Sequence, residues 1–184
     1  MLEAVATADD DLMEKFFEGE EFTEQEILGG LKKGMLSGDI CPVFSGINQT
    51  GDAVTLLLDI LLKIAPSAED RDIKIKKGGA EGTVNANENA PTALVAFKTL
   101  ADPFVGKLTY FKVIQGSVKT DMKLINSRTN AEEKIGKLLL IKGGKQEDVA
   151  EIPAGDIGAV AKLGSVQTGD TLYSQGNEME AVFV

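Results

Sequence analysis

Two different hydrophobic periods divide the chain. From Asp10 to about Ala65, apolar residues recur at the spacing of one helix face, as in Leu12, Met13, Phe16 and Phe17. The acidic run that precedes them suits the first turn of a helix, where carboxylates cap free amides and complement the helix dipole. From residue 93 onward the alternation of apolar and polar residues has a period of two, interrupted by turn residues. The pattern predicts a helical N-terminal segment and a β-rich C-terminal segment.

The N-terminal segment contains two further helical patterns. Thr23 and Glu26 have the spacing of a capping box, and Gly38 suits the end of the helix that follows. Another apolar face runs from Gly51 to Ala65 and ends at Pro66. The short apolar run 40–46 between these patterns predicts a buried strand.

One strand and three helices cannot bury both faces of a parallel sheet. Residues 1–66 are therefore interpreted as the C-terminal end of a larger α/β domain. The alternative is a small helical subdomain that is complete in itself. Residues 67–92 are polar and rich in Gly, Asn and Lys, and Asp72–Lys76 alternate in polarity. We interpret them as a linker with one edge strand.

The C-terminal segment, residues 93–184, predicts six or seven short strands separated by turn signals. They are residues 93–99, 107–115, 123–126, 134–141, 156–163, 171–173 and 179–184. Such spacing is typical of a barrel or sandwich, and a closed β-barrel is favoured because closure removes sheet edges. The predicted fold class is therefore mainly β. Core packing is the favoured role for its aromatic rings, Phe97, Phe104, Tyr110 and Phe111, although rings among lysines can also stack on bases.

Charge is distributed unevenly along the chain. The net charge is −10, but residues 1–70 carry 4 lysines and 15 acidic residues, a net −11. The remaining residues carry 15 basic and 14 acidic residues, a net +1. Residues 98–145 alone have 10 basic and 4 acidic residues, a net +6. A local surface that can meet phosphate is therefore expected in the C-terminal segment.

Several kinds of chemistry are excluded or disfavoured. The chain has no histidine, so histidine acid–base chemistry and His/Cys zinc sites are absent. Its single cysteine, Cys41, cannot form an internal disulfide. The phosphate-loop pattern G-x-x-x-x-G-K-[ST] does not occur. No catalytic or metal-binding residue is predicted. The acidic start and the lack of a long apolar run favour a cytoplasmic protein without membrane contact.

One run of residues resembles a known family. Residues 102–111, DPFVGKLTYF, preceded by ALVAFK at 93–98, resemble the opening of the second domain of bacterial elongation factor G and its close relatives. Further similar segments are residues 113–116, 152–160 and 168–172. Upstream, residues 42–46 and 64–67 are similar to the last guanine-contacting loop and the final helix of the family's GTPase domain.

The resemblance implies a translation-factor-type β-barrel that follows the end of a GTPase domain and takes part in ribosomal translocation. It implies that the barrel docks on small-subunit RNA and protein of the ribosome, beside the GTPase and C-terminal domains of a full-length parent. That parent would use GTP and magnesium, whereas the chain alone is expected to be inactive and to bind no cofactor. The guanine loop would be Ser45, Gly46, Ile47 and Asn48, with Ile47-Asn48 where the family has Ser-Ala.

Ribosomal RNA contacts are expected from a pool of cations on the barrel, because lysines supply sequence-independent phosphate contacts. The pool is Lys107, Lys112, Lys119, Lys123, Arg128, Lys134 and Lys137. For each residue the alternative is a role in solubility alone. Two other functions stay open for the chain: part of a ribosome-protection or release-type GTPase, or an adaptor whose acidic helical half binds a basic protein.

Overall fold

The computed structural model describes residues 1–102 and 106–182. It divides into two compact units, one comprising Met1–Asp70 and one beginning at Arg71. The predicted turn residue Pro103, the predicted core residue Phe104, Val105 and the last two residues of the final predicted strand lie outside the described residues.

The first unit is helical. Its helices are α1 (Leu2–Ala6), α2 (Asp10–Glu18), α3 (Glu24–Ser37) and α4 (Val54–Ile64). The Asp9 side chain caps α2, and Thr23 and Glu26 form the predicted capping box at the start of α3. Gly38 ends α3 with a φ of 86°. Helix α1, which is only five residues long, was not predicted.

The predicted buried strand at residues 40–46 is wrong. This segment has no regular strand, and Val43 and Phe44 are 90% and 40% exposed. Its neighbourhood contains a single β-bridge, between Ile47 and Asp52. An apolar run forms a strand only where a neighbouring strand can pair with it, and the described residues of the first unit supply none.

Among its described residues, the second unit contains thirteen strands that pair antiparallel. They are β1 (Ile73–Lys77), β2 (Ala80–Val84), β3 (Ala93–Asp102), β4 (Gly106–Gln115), β5 (Ser117–Lys119), β6 (Lys123–Asn126), β7 (Glu132–Lys134), β8 (Leu138–Lys142), β9 (Lys145–Val149), β10 (Glu151–Pro153), β11 (Ile157–Ala161), β12 (Thr171–Tyr173) and β13 (Glu180–Ala181). The largest sheet has eight strands in the order β7-β6-β12-β3-β4-β11-β8-β9. Strands β7 and β9 are its edges, so the mainly β class is confirmed while closure into a barrel is not.

Two smaller sheets complete the unit. Strand β5 pairs with β10, and β1 lies between β13 and β2 in a three-stranded sheet. Strand β1 is therefore a central strand and not the expected edge strand, because the hairpin partner β2 and the distant β13 pair with its two sides. The alternation at residues 72–76 indicates that one face of the strand is buried. It does not indicate how many neighbouring strands pair with it.

Both faces of the large sheet bury apolar residues. On the inner face, Leu94, Phe111 and Val160 belong to the main core, so core packing is confirmed for Phe111. The three-stranded sheet covers part of the outer face, where Ile75 packs with Val95. Phe97 was expected in the core but is 44% exposed, and Tyr110 is half-buried. No helix among residues 1–102 and 106–182 is long and apolar enough to cross a membrane.

Candidate nucleic-acid interface

The seven predicted cations are spread over the second unit. Strand β4 carries Lys107 and Lys112, β5 carries Lys119, and Lys123 and Lys134 are register partners in the β6–β7 pair. Arg128 lies in the turn between β6 and β7, and Lys137 precedes β8. The structure therefore brings Lys123 and Lys134 side by side and distributes the others over separate strands and turns.

Four of these lysines form exposed ion pairs. The distances are 3.5 Å for Lys119–Glu151, 2.6 Å for Lys123–Glu132, 2.7 Å for Lys134–Asp121 and 2.7 Å for Lys137–Asp148. Exposed pairs of this kind contribute about 0–1 kcal/mol to stability, because water screens them. A phosphate group can therefore compete with each carboxylate at little energetic cost.

Arg128 is in a different environment. Its guanidinium donates to both carboxylate oxygens of Asp170, at 2.7 and 2.8 Å, and to the Ser165 carbonyl at 2.9 Å. Asn126 donates to the same carboxylate at 2.7 Å. Because Asp170 is buried, this is an internal network, and it ties Arg128 to the loop 162–170.

Lys107 and Glu133 hold the same loop. The Lys107 ammonium donates to the Val166 carbonyl, and the buried Glu133 carboxylate accepts from the Ser165 hydroxyl at 2.6 Å and amide at 2.8 Å. Burial works against the charged form of Glu133, but the hydrogen bonds from Ser165 and Gly164 outweigh it and lower the pKa. Likewise, burial opposes ionisation of Asp170, and its bonds to Arg128 and Asn126 lower the pKa.

Glu133 and Asp170 were not singled out from the sequence. A signal was available for Glu133, since it shares its strand face with Leu124, its register partner in the core. A carboxylate at a core-facing position requires buried donors. Asp170 occurs in a turn signal, Thr168-Gly169-Asp170, which does not reveal its distant partner.

Lys112 differs from the other six. It is half-buried on β4, and among the described residues it forms no ion pair. Its register partners are Val95 on β3 and Ile157 on β11. It therefore lies on the outer face of the large sheet with no opposing carboxylate in register.

The predicted guanine loop lies in the first unit. Ser45, Gly46, Ile47 and Asn48 line a concavity of about 200 Å³ together with Asp52 and the first turn of α4. The Ile47 amide donates to the Asp52 carbonyl at 3.2 Å, and the Gly51 amide donates to the Ile47 carbonyl at 2.9 Å. The Ile47 backbone is thus engaged within the loop. A Cβ on Gly46 would meet the Asp52 carbonyl oxygen at 2.8 Å, so the chain passes itself too closely there for a larger residue.

Two parts of a nucleotide site are not found around this loop among the described residues. The sequence has no phosphate loop, and within residues 1–102 and 106–182 no cluster of three or more acidic or cysteine side chains could hold a metal ion. The loop lines the concavity with polar side chains, and the described residues around it include no phosphate loop and no cluster of metal ligands.

Comparison with known proteins finds a family similarity within the second unit. Residues 91–175 match the family of elongation factor G domain 2, and this segment runs from just before β3 to just past β12. Over these residues the chain is similar to elongation factor G domain 2, and the resemblance read from the sequence is confirmed there.

A solved structure extends the similarity to the first unit. The chain matches a crystal structure of a protein from Thermus thermophilus with 25% sequence identity and a TM-score of 0.71. The match covers 96% of this chain and 24% of the other, so the chain spans about a quarter of the length of that protein.

Proposed function

We propose that the chain is part of a translational GTPase that acts in ribosomal translocation, and that its second unit docks on the small ribosomal subunit. The observation that carries this proposal is the match of residues 91–175 to elongation factor G domain 2. Such a factor acts in the cytoplasm, where ribosomes work.

The docking contacts are phosphate contacts from exposed lysines of the second unit. Lys119, Lys123, Lys134 and Lys137 have side chains 59–67% exposed, and weak ion pairs hold them. Exchanging a carboxylate for an RNA phosphate keeps each charge paired and releases counterions. Lys107 and Arg128, in contrast, hold the loop 162–170 and are not proposed as principal RNA contacts.

The first unit packs against the rest of a GTPase domain in this proposal. Its exposed apolar residues include Val43 at 90%, Leu62 at 87% and Leu56 at 58% exposure. A surface this apolar is normally covered by another protein surface. The partner domain would supply the phosphate loop and the magnesium ligands, so GTP is bound by the full-length parent and not by these residues alone.

Sedimentation of the 184-residue chain with purified ribosomal subunits tests the proposal. We expect the chain to pellet with small subunits at low salt, to pellet less with large subunits, and to be released as salt rises. The double variant K123E/K134E should lose most of this binding. A matched control is K33E/K63E in the first unit, since Lys33 and Lys63 are also exposed lysines in ion pairs.

Binding that ignores salt, or equal loss in both double variants, would contradict docking through the second unit. Chain that pellets with neither subunit but binds a basic protein would favour the adaptor function instead.

A further inference from the structure

Part of the outer face of the large sheet carries exposed side chains, although Leu108, Leu139 and Ala159 on the same face are buried. The three-stranded sheet covers the part around Val95, Ile114 and Tyr173. Beyond it lies a set of residues that we call the open outer face: Phe97, Lys98, Leu100, Tyr110, Lys112 and Ile157. Its apolar members are well exposed, with Phe97 at 44%, Leu100 at 41% and Ile157 at 51%.

A β-bulge brings two aromatic rings together on this face. The register of β3 against β4 shifts between Ala96 and Lys98, so Phe97 is an extra residue in β3. Its ring lies against Tyr110, with 6.4 Å between ring centroids and 52° between ring planes. In a regular strand, two consecutive residues lie on opposite faces of the sheet. Because of the bulge, Phe97 and Lys98 are both next to Tyr110 on the outer face.

Two lysines, Lys98 and Lys112, lie beside the two rings. Lys98 lies opposite Tyr110, and Lys112 lies opposite Ile157. Among the described residues neither lysine forms an ion pair, whereas the other lysines of β4 to β8 bond to a carboxylate or a carbonyl. This face therefore combines accessible π surface with two cations that form no ion pair among residues 1–102 and 106–182.

We propose that the open outer face binds single-stranded RNA, with an unpaired base stacked on the Phe97 ring and phosphates held by Lys98 and Lys112. Stacking needs an exposed ring and tolerates any base, and the cations complement the backbone. The inference rests on the proposed function, for which it names a second RNA contact, distinct from the β5–β8 lysines. A protein partner would require carboxylates at the two lysines and would use the aliphatic residues as strongly as the ring.

Fluorescence anisotropy tests this inference. The whole chain is titrated into a 5′-labelled oligoadenylate of about ten nucleotides, a length that a single-strand-binding surface can span. We expect wild type to bind the single strand more tightly than a duplex RNA of equal length. Phe97→Leu, which keeps an apolar side chain but removes the ring, should weaken binding about tenfold. K98Q/K112Q should weaken binding and flatten its salt dependence. Leu62→Ala, a control at an exposed apolar side chain of the first unit outside this face, should stay within about twofold of wild type, because it removes neither a ring nor a charge.

Circular dichroism and thermal melting establish that each variant is folded. Should Phe97→Leu unfold, Phe97→Tyr, which retains a ring, must preserve binding for the inference to stand. Equal binding of duplex and single strand, unchanged binding in Phe97→Leu, or an equal loss in Leu62→Ala would overturn it.

The two proposals can fail separately. If small subunits bind wild type and K123E/K134E abolishes that binding, while wild type does not bind oligoadenylate, the further inference is wrong and the proposed function stands. If oligoadenylate binds through Phe97 but small subunits do not bind, the proposed function is wrong while the RNA-binding face stands.

Discussion

Asp170 accepts two hydrogen bonds from the Arg128 guanidinium, one from Nε at 2.7 Å and one from Nη2 at 2.8 Å. The Asp170 side chain is only 5% exposed, whereas that of Arg128 is 45% exposed. The same carboxylate also accepts from the Asn126 side chain and the Gln167 amide. Asp170 is thus the buried centre of a network that fastens the loop 162–170 to the β6–β7 turn, and Arg128 is its more exposed partner.

Removing the charge of Asp170 should cost more stability than removing Arg128. Asp170→Asn leaves several buried donors poorly paired, and we expect a loss of about 3 kcal/mol in the free energy of unfolding. Arg128→Ala should cost about 1–2 kcal/mol, because water can replace part of the exposed guanidinium. Urea denaturation measures both. Lys123→Ala, which breaks an exposed pair, is the control and should cost under about 1 kcal/mol. A larger loss in Arg128→Ala than in Asp170→Asn would refute this division of roles.

Acid should unfold the second unit through its buried carboxylates. The pKa values of Glu133 and Asp170 are lowered in the folded state. Their contribution to stability is therefore complete above their unfolded-state pKa values, about 4, and is lost as the pH falls through the lower folded-state values. Thermal melting over a series from about pH 7 to about pH 3 should show a decline that begins below about pH 5. Glu133→Gln should be less stable at neutral pH and should show a shallower decline; an unchanged pH profile would rule out a contribution from Glu133.

A side chain at Gly158 should destabilise the chain unless Ile152 is replaced by a smaller residue. A Cβ at this position would collide with Ile152 Cδ1 and lie 3.0 Å from Phe111 Cζ. We expect Gly158→Ala to destabilise the chain by about 1–3 kcal/mol. Ile152→Val removes the colliding methyl group, so the double variant should recover part of that loss. A double-mutant cycle in urea measures the coupling.

Gly144→Ala is the control for Gly158→Ala, because nothing lies within 4 Å of its Cβ position. It should change the free energy of unfolding by less than about 0.5 kcal/mol. If the changes in the free energy of unfolding caused by Gly158→Ala and Ile152→Val are strictly additive, the contact between the two positions does not contribute to the loss.

The chain should not bind GTP tightly on its own. The Ile47 amide is engaged with Asp52, and the sequence has no phosphate loop. Isothermal titration calorimetry with GTP and magnesium should show no binding heat above that of dilution. Tight, magnesium-dependent binding would mean that these residues contain a nucleotide site of another kind.

The sequence pattern predicts local structure well where short-range chemistry decides it. The capping box at Thr23 and Glu26, the strands at 123–126 and 171–173, and the buried ring of Phe111 follow from spacing and alternation alone. The expected strand at 134–141 is instead two strands, interrupted around Gly136. Hydrophobic alternation continues through such a break, so it does not mark where pairing stops.

Features set by distant partners were not predictable in this way. The pairing of β1 with β13 joins segments far apart in the chain, and the Arg128–Asp170 network joins two different turns. The position of Lys98 beside Phe97 on the outer face depends on a single extra residue in β3, which reverses the face that alternation assigns to Lys98. For the cations, the sequence shows only that a residue is basic, while the structure shows which carboxylate it meets.

The salt dependence of small-subunit binding tests the central claim most directly. Cys41 is exposed and is the only cysteine, so a dye placed there on the first unit can report binding of the whole chain. The logarithm of the binding constant should fall linearly with the logarithm of salt concentration. K123E/K134E should reduce the magnitude of that slope by about 1.4–1.8, since each phosphate contact contributes about 0.7–0.9. An unchanged slope in K123E/K134E, or equal slopes in K123E/K134E and K33E/K63E, would contradict docking of the second unit on ribosomal RNA.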